Sequence, residues 1–165
     1  KLEMYLTAEE FLDVIERTPL VSIDLLVWNT SLQLLLGQRV NPPAKGYWFV
    51  PGGRIRKDET LAKAFHRLSQ NELGKSFELE PTQFIGVYQH FYSENFAERA
   101  GITTHYVVLA YQIFLTQNPA HVPGEQHHSY RCMSRAEILA DPSVHQYTKD
   151  YFLKPNQLKG DQSIG

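Results

Sequence analysis

Pro51-Gly52-Gly53-Arg54-Ile55-Arg56-Lys57-Asp58-Glu59-Thr60 runs from a glycine turn into a helix that carries Arg67 and Glu72. Leu61, Ala64, Phe65 and Leu68 recur at helical spacing and define the buried stripe of that helix. Extending the stripe four residues beyond Leu68 lands on Glu72, which places a carboxylate on an apolar face. An unpaired charge there costs on the order of several kcal/mol, a cost that a cation or an arginine relieves. Arg67 lies about 140° round the helix from Glu72, an imperfect local partner. Asp58 is the expected N-cap and Gly74 the C-terminal stop. A glycine turn feeding such a helix is how a site for a metal-bound diphosphate is built. Taken singly, Gly52-Gly53 also reads as an ordinary turn, and Glu72 as a solvated residue at a helix end.

Working outward, Thr7-Ala8-Glu9-Glu10 has the form of a capping box ahead of Phe11, Leu12, Val14 and Ile15, and Pro19 closes that helix. Leu20 to Trp28 and Leu32 to Leu36, joined by Asn29-Thr30-Ser31, read as a hairpin. Asn41 to Gly46 is a loop and Tyr47 to Val50 a short aromatic strand. Gln83 to Tyr92, Thr103 to Thr116 and Tyr130 to Met133 follow as strands. Ser134-Arg135-Ala136-Glu137 is a second capping box, and Val144 to Leu153 is helical. The order α-β-β-β-α-β-β-β-α-α predicts an α/β (α+β) fold, a mixed β-sheet sandwiched between α-helices. Residues 1–165 form one domain, with a helical arm over 1–19 and a disordered tail over 155–165.

At 165 residues, with 42% hydrophobic content, the chain fits one compact core. A net charge of -2 supplies no electrostatic footprint for nucleic acid or an anionic membrane. Cys132, the single cysteine, cannot form an internal disulfide. No apolar run approaches the roughly 20 residues of a membrane span, and no signal-peptide pattern is read. The expectation is a cytoplasmic domain acting on a small molecule. The seven histidines include no His-x-His or cysteine cluster at zinc spacing. Asp24 stands inside an otherwise apolar strand, either as a buried hydrogen-bonded aspartate or as a site residue. His90 flanks an aromatic strand, and His127 sits beside His128 after Pro123-Gly124, where a surface pair is the alternative to a functional role.

Gly53, five residues, Glu59, seven residues, Arg67, and then Glu72 and Gly74 resemble the Nudix box, Gly-x5-Glu-x7-Arg-Glu-U-x-Glu-Glu-x-Gly-U, with U a bulky apolar residue. The chain departs from that pattern in order: Leu68 replaces the glutamate after Arg67, Ser69 the apolar residue, and Asn71 the first of the paired glutamates. Thr18 to Ser22, Gly46 to Arg54, Gln89 to Tyr92, Thr103 to Leu109 and Glu125 to His127 also resemble one subgroup, the GDP-mannose mannosyl hydrolases.

The resemblance implies a Nudix fold and hydrolysis of GDP-mannose, and also GDP-glucose, to GDP and free hexose. In that subgroup water attacks the anomeric carbon with inversion. By the same resemblance, the Gly52 carbonyl, Glu72 and Gln126 ligate one Mg2+ ion per site, with Mn2+ as a substitute. Arg39, Arg54 and Arg67 contact the diphosphate, where guanidinium forks stabilise the leaving charge. His127 is the general base, Asp24 and Tyr106 lie near the sugar, and His90 is a substrate-binding residue. The relatives are homodimers, with the amphipathic N-terminal helix as a candidate dimer element. Two alternatives stay open: a pyrophosphohydrolase attacking phosphorus, and a non-catalytic nucleotide-sugar-binding protein.

Overall fold

The computed structural model describes residues 6–79, 81–117 and 129–154. Within them the chain runs α1 (Ala8–Arg17), β1 (Leu20–Trp28), β2 (Leu34–Gln38), β3 (Trp48–Phe49), β4 (Gly52–Arg54) and α2 (Leu61–Leu73). It continues as β5 (Gln83–Tyr92), β6 (Thr104–Phe114), β7 (Tyr130–Met133), α3 (Arg135–Ala140) and α4 (Gln146–Leu153). The strands form one seven-stranded sheet in the order β3-β2-β1-β6-β5, with β4 on β1 and β7 on β2. β1 is central. It runs parallel to β6 from Leu20↔Tyr106 to Trp28↔Phe114. Its other edge is shared between β2 at Trp28↔Leu34 and β4 at Ser22↔Arg54, Ile23↔Gly53 and Asp24↔Gly52. All pairings other than β1 with β6 are antiparallel, so the sheet is mixed as expected.

The period of two along β1 sorts its side chains into separate cores. Ile23, Leu25 and Val27 pack with Ala64, Phe65 and Leu68 of α2. Leu26 faces the opposite layer, with Ile138 of α3 and Tyr151 of α4. Asp24 shares the parity of Leu26 and is therefore carried toward α4. α1 buries Leu12 and Ile15 against Leu20 and Ile102 of the same chain. Among the described residues no helix is long and apolar enough to cross a membrane.

Several expectations are corrected. The N-cap of α2 is Thr60, whose hydroxyl accepts from the Lys63 N–H at 3.2 Å, and not Asp58. Asp58 sits at φ 64°, a left-handed conformation within the preceding turn that no helix entry uses. Leu61 is 42% exposed, so the buried stripe begins at Ala64 and includes Ser69 in the place of an apolar residue. The Ser69 hydroxyl donates to the His66 carbonyl and accepts from the Phe77 N–H at 2.9 Å, pinning the chain beyond the helix. Gly52-Gly53 is strand rather than turn, which adds one strand to the expected order. Leu32, at φ 57°, belongs to the hairpin loop, and β2 starts at Leu34. The last helix begins at Gln146, capped by His145, while Val144 pairs with Trp48 as an isolated bridge. Gly74 closes α2 at φ 71° as expected.

Replacing Thr60 with Ala removes the cap that starts the site helix. The expected loss is about 1 kcal/mol of unfolding free energy, measured by denaturant titration, whereas Asp58→Ala should not reproduce it.

Candidate active site

Two glycines set the geometry. A Cβ added at Gly52 would stand 2.3 Å from the Ile23 carbonyl oxygen and 2.8 Å from Asp24 Oδ1. One at Gly53 would stand 2.6 Å from Leu68 Cδ2. Only a bare backbone at Gly52 lets β4 lie this close to β1, whereas at Gly53 the end of the Leu68 side chain would have to move aside. The loop after β4 is then fixed to the helix. Arg67 donates from Nε and Nη2 to the two Glu59 oxygens at 2.8 Å each, and from Nη2 to the Arg54 carbonyl at 3.0 Å. Glu59 Oε1 also accepts from the Arg56 N–H at 2.8 Å. The Arg67 hydrogen bonds are the main reason the Glu59 carboxyl is held below its usual range.

Gly52 and Arg39 lie between two adjoining cavities. The first, about 210 Å³, is lined by Arg39, Gly52, Glu72 and Tyr130 among others. Burial pushes the Glu72 carboxyl up, partly countered by a hydrogen bond from the Tyr130 hydroxyl. The second, about 260 Å³, gathers Asp24, Arg39, Gly52, Arg54, His90 and Tyr106, with Phe11 and Tyr92 on its walls. Asp24, Arg39, Arg54, Tyr106 and His90, proposed from sequence as separate residues, therefore share one cavity. Glu72 sits in the neighbouring one, and Arg67 braces the loop. Gln126 and His127 lie outside the described residues.

The electrostatics follow from burial. Asp24 is pushed up to about 7, first by desolvation, against the lowering influences of the Tyr151 hydroxyl and Arg39. Tyr151 donates to Asp24 Oδ2. The His90 imidazole is driven down to about 4, first by burial and then by neighbouring His145, so it is neutral at pH 7. Its ring stacks on Tyr147 at 4.3 Å, and the Tyr147 hydroxyl donates to the Phe91 carbonyl at 2.8 Å. Arg54 lies over the Phe11 ring at 4.4 Å, and desolvation lowers its pKa. Arg39 lies over Phe49 at 5.6 Å, and its buried Nε finds no hydrogen-bond acceptor among the described residues. Burial also raises the Tyr106 phenol.

The donor set fits a hard divalent cation. Glu72 offers a shielded carboxylate beside the Gly52 backbone, and a cation offsets the desolvation that raises it. Mg2+ is held by one or two carboxylates and completes its shell from water and phosphate oxygens. No group of three or more His, Cys, Asp or Glu able to hold a metal occurs among the described residues. Residues that the sequence reading did not single out for the site are Tyr151, Tyr130, Tyr92 and Phe11. Only the fold shows that the Phe11 ring face lies under Arg54, that the Tyr151 and Tyr130 hydroxyls meet Asp24 and Glu72, and that Tyr92 lines the cavity.

Comparisons with known proteins agree with this architecture. A family model described as NUDIX domain matches residues 18–153, leaving α1 and its Phe11 ahead of the matched part. The low-salt glycan biosynthesis protein Agl8 of Haloferax volcanii is 34% identical over 146 residues, covering 87% of this chain and 86% of its own. The MutT protein from Methanosarcina mazei Go1 has a similar structure, with TM-score 0.64, 21% identity, and coverage of 83% of this chain and 93% of its own. For a MutT NUDIX hydrolase from Burkholderia pseudomallei the values are 0.61, 22%, 81% and 95%. These structural likenesses bear on the fold alone.

The raised Asp24 carboxyl has a consequence for stability. Its folded value of about 7 lies above its ordinary 3.8, so the ligand-free fold keeps a proton that the unfolded chain has lost between these values. Stability from this group is full below about pH 4 and is lost as pH rises through about 7. Asp24→Asn cannot ionise. Its melting temperature relative to the parent protein should therefore climb by several degrees between pH 4 and 8, read by scanning calorimetry. A pH-independent difference would contradict this.

Proposed function

Because the chain belongs to the NUDIX domain family, we propose that it hydrolyses GDP-mannose, with GDP-glucose as a second substrate, to GDP and free hexose by inversion at the anomeric carbon. The observation that carries this reading is the division of the cleft about Gly52 and Arg39. On one side is a shielded Glu72; on the other is a polar compartment of Asp24, His90, Tyr92 and Tyr106 suited to sugar hydroxyls. The helix agrees with it. Leu68, which stands where the Nudix pattern has a glutamate, is buried over Gly53, and Asn71 is exposed. Glu72 is the single acid of α2, too few for the carboxylate cluster that holds several ions for attack at phosphorus. The glycan biosynthesis role named for Agl8 accords with a sugar-nucleotide substrate.

In this reading the Gly52 carbonyl, Glu72 and, by resemblance, Gln126 hold Mg2+, which neutralises diphosphate charge when bound. Mn2+ would fit the same oxygen donors. Arg39 and Arg54 present guanidinium donors to the departing GDP, and a phosphate oxygen supplies the acceptor that Arg39 Nε lacks. Arg67 contributes by fixing the loop on which Arg54 stands. Neutral His90, the Tyr106 hydroxyl and Asp24 orient the hexose. His127 takes the proton of the attacking water, a task suited to an imidazole near its ordinary pKa of about 6.5. A diphosphate leaves without protonation, so the acid of the usual glycosidase carboxyl pair is not required. The protein is proposed to act as a cytoplasmic homodimer.

Hydrolysis of GDP-mannose with Mg2+ in heavy-oxygen water tests the bond cleaved. Label is expected in free mannose; label in GMP or mannose phosphate would overturn the assignment. Glu72→Gln should lower kcat/KM by roughly a hundredfold or more and raise the Mg2+ concentration needed for half-maximal rate.

A further inference from the structure

We propose that Tyr151 is a positioning residue for the sugar end of the site, holding Asp24 Oδ2 so that Oδ1 stays over Gly52 at the wall shared by the two cavities. This rests on the nucleotide-sugar reading above. Asp24 reaches toward α4 because β1 alternates, on the side of the sheet where Leu26 and Tyr151 pack, and a buried carboxylate there needs a polar partner. The Tyr151 hydroxyl, 127 residues away in sequence, supplies one. Tyr151 is itself 6% exposed and meets the Tyr88 ring edge-on at 4.6 Å, so its hydroxyl has little freedom to leave. The other Asp24 oxygen, Oδ1, occupies space that a side chain at position 52 would take, since a Cβ on Gly52 would stand 2.8 Å from it. One oxygen is thus held by a donor and the other is kept in a space that only glycine leaves open. The hydrogen bond on one oxygen therefore sets where the other stands, at the wall of the cavity that Asp24 lines.

A purely structural role for Tyr151 predicts a change in stability and nothing specific to the sugar. A positioning role predicts a loss that appears only when the hexose is present and only through Asp24. Tyr151→Phe removes the donor and keeps the ring. It is expected to lower kcat for GDP-mannose roughly tenfold while leaving the Kd of GDP, which lacks the sugar, within twofold. In an Asp24→Ala background the same substitution should have almost no further effect, because the acceptor is already gone. Unchanged kcat in Tyr151→Phe, or equal losses in both backgrounds, would overturn the proposal. If the parent protein turns over no GDP-hexose, the functional reading fails instead. Calorimetry of GDP-mannose against GDP then tests positioning by itself: the sugar's contribution to binding should shrink in Tyr151→Phe, and an undiminished contribution would refute it.

Discussion

The approach of β4 to β1 governs the rest of this molecule. Ordinary residues at Gly52 and Gly53 would drive a methyl into the Ile23 carbonyl and into Leu68. The first collision involves backbone and cannot be relieved by rotating a side chain. With bare Cα atoms, β4 takes the start of β1 while β2 takes its end, so a single central strand supports two different partners on one edge. That arrangement puts the Gly52 backbone directly opposite Asp24 and beneath the helix bearing Glu72. Both compartments of the cleft inherit their shape from it.

The loop after Arg54 depends on a second constraint. Arg67 and Glu59 are both less than a quarter exposed and exchange a two-point hydrogen-bonded contact. A paired guanidinium and carboxylate at this depth stay charged because each satisfies the other, and each also binds loop backbone. Breaking either partner would leave a partly buried ion and free the segment carrying Arg54. The spacing of Gly53, Glu59 and Arg67 is therefore a mechanical requirement of the loop as much as a chemical signature.

Much of this was legible in the sequence where a single period or stop signal decided the outcome. β1, β5 and β7 have the expected bounds, and Gly74 ends α2 as a left-handed residue. Legibility failed where tertiary contacts outweighed local preference. Asp58 is as good an N-cap by residue type as Thr60, but the turn that seats Glu59 against Arg67 consumes it. Gly52 and Gly53 look like turn residues because strands disfavour glycine, yet here close packing against the Ile23 carbonyl makes glycine necessary at position 52 within a strand. Ser69 fills an apolar position because its hydroxyl is satisfied within the same turn and by the Phe77 N–H. Asp24 was visible as an anomaly in an apolar strand, whereas its partner was not. A tyrosine on an apolar helix face carries no mark of where its hydroxyl ends.

These constraints leave the ligand-free cleft electrostatically unfinished. Asp24 and Glu72, on either side of Gly52, are both raised first by desolvation, and Arg39 between them keeps a buried Nε without an acceptor among the described residues. Glu59 and Arg67 neutralise each other, whereas Asp24 and Glu72 accept only from the uncharged hydroxyls of Tyr151 and Tyr130. A divalent cation beside Glu72 and an anion on Arg39 and Arg54 would resolve it together, since the cation lowers the cost of the carboxylate and the anion completes the guanidinium donors. A neutral sugar attached to that anion would then meet Asp24 and an uncharged His90 through hydrogen bonds alone. On the function proposed above, a ligand with metal-bound diphosphate at one end and hydroxyls at the other would meet both needs.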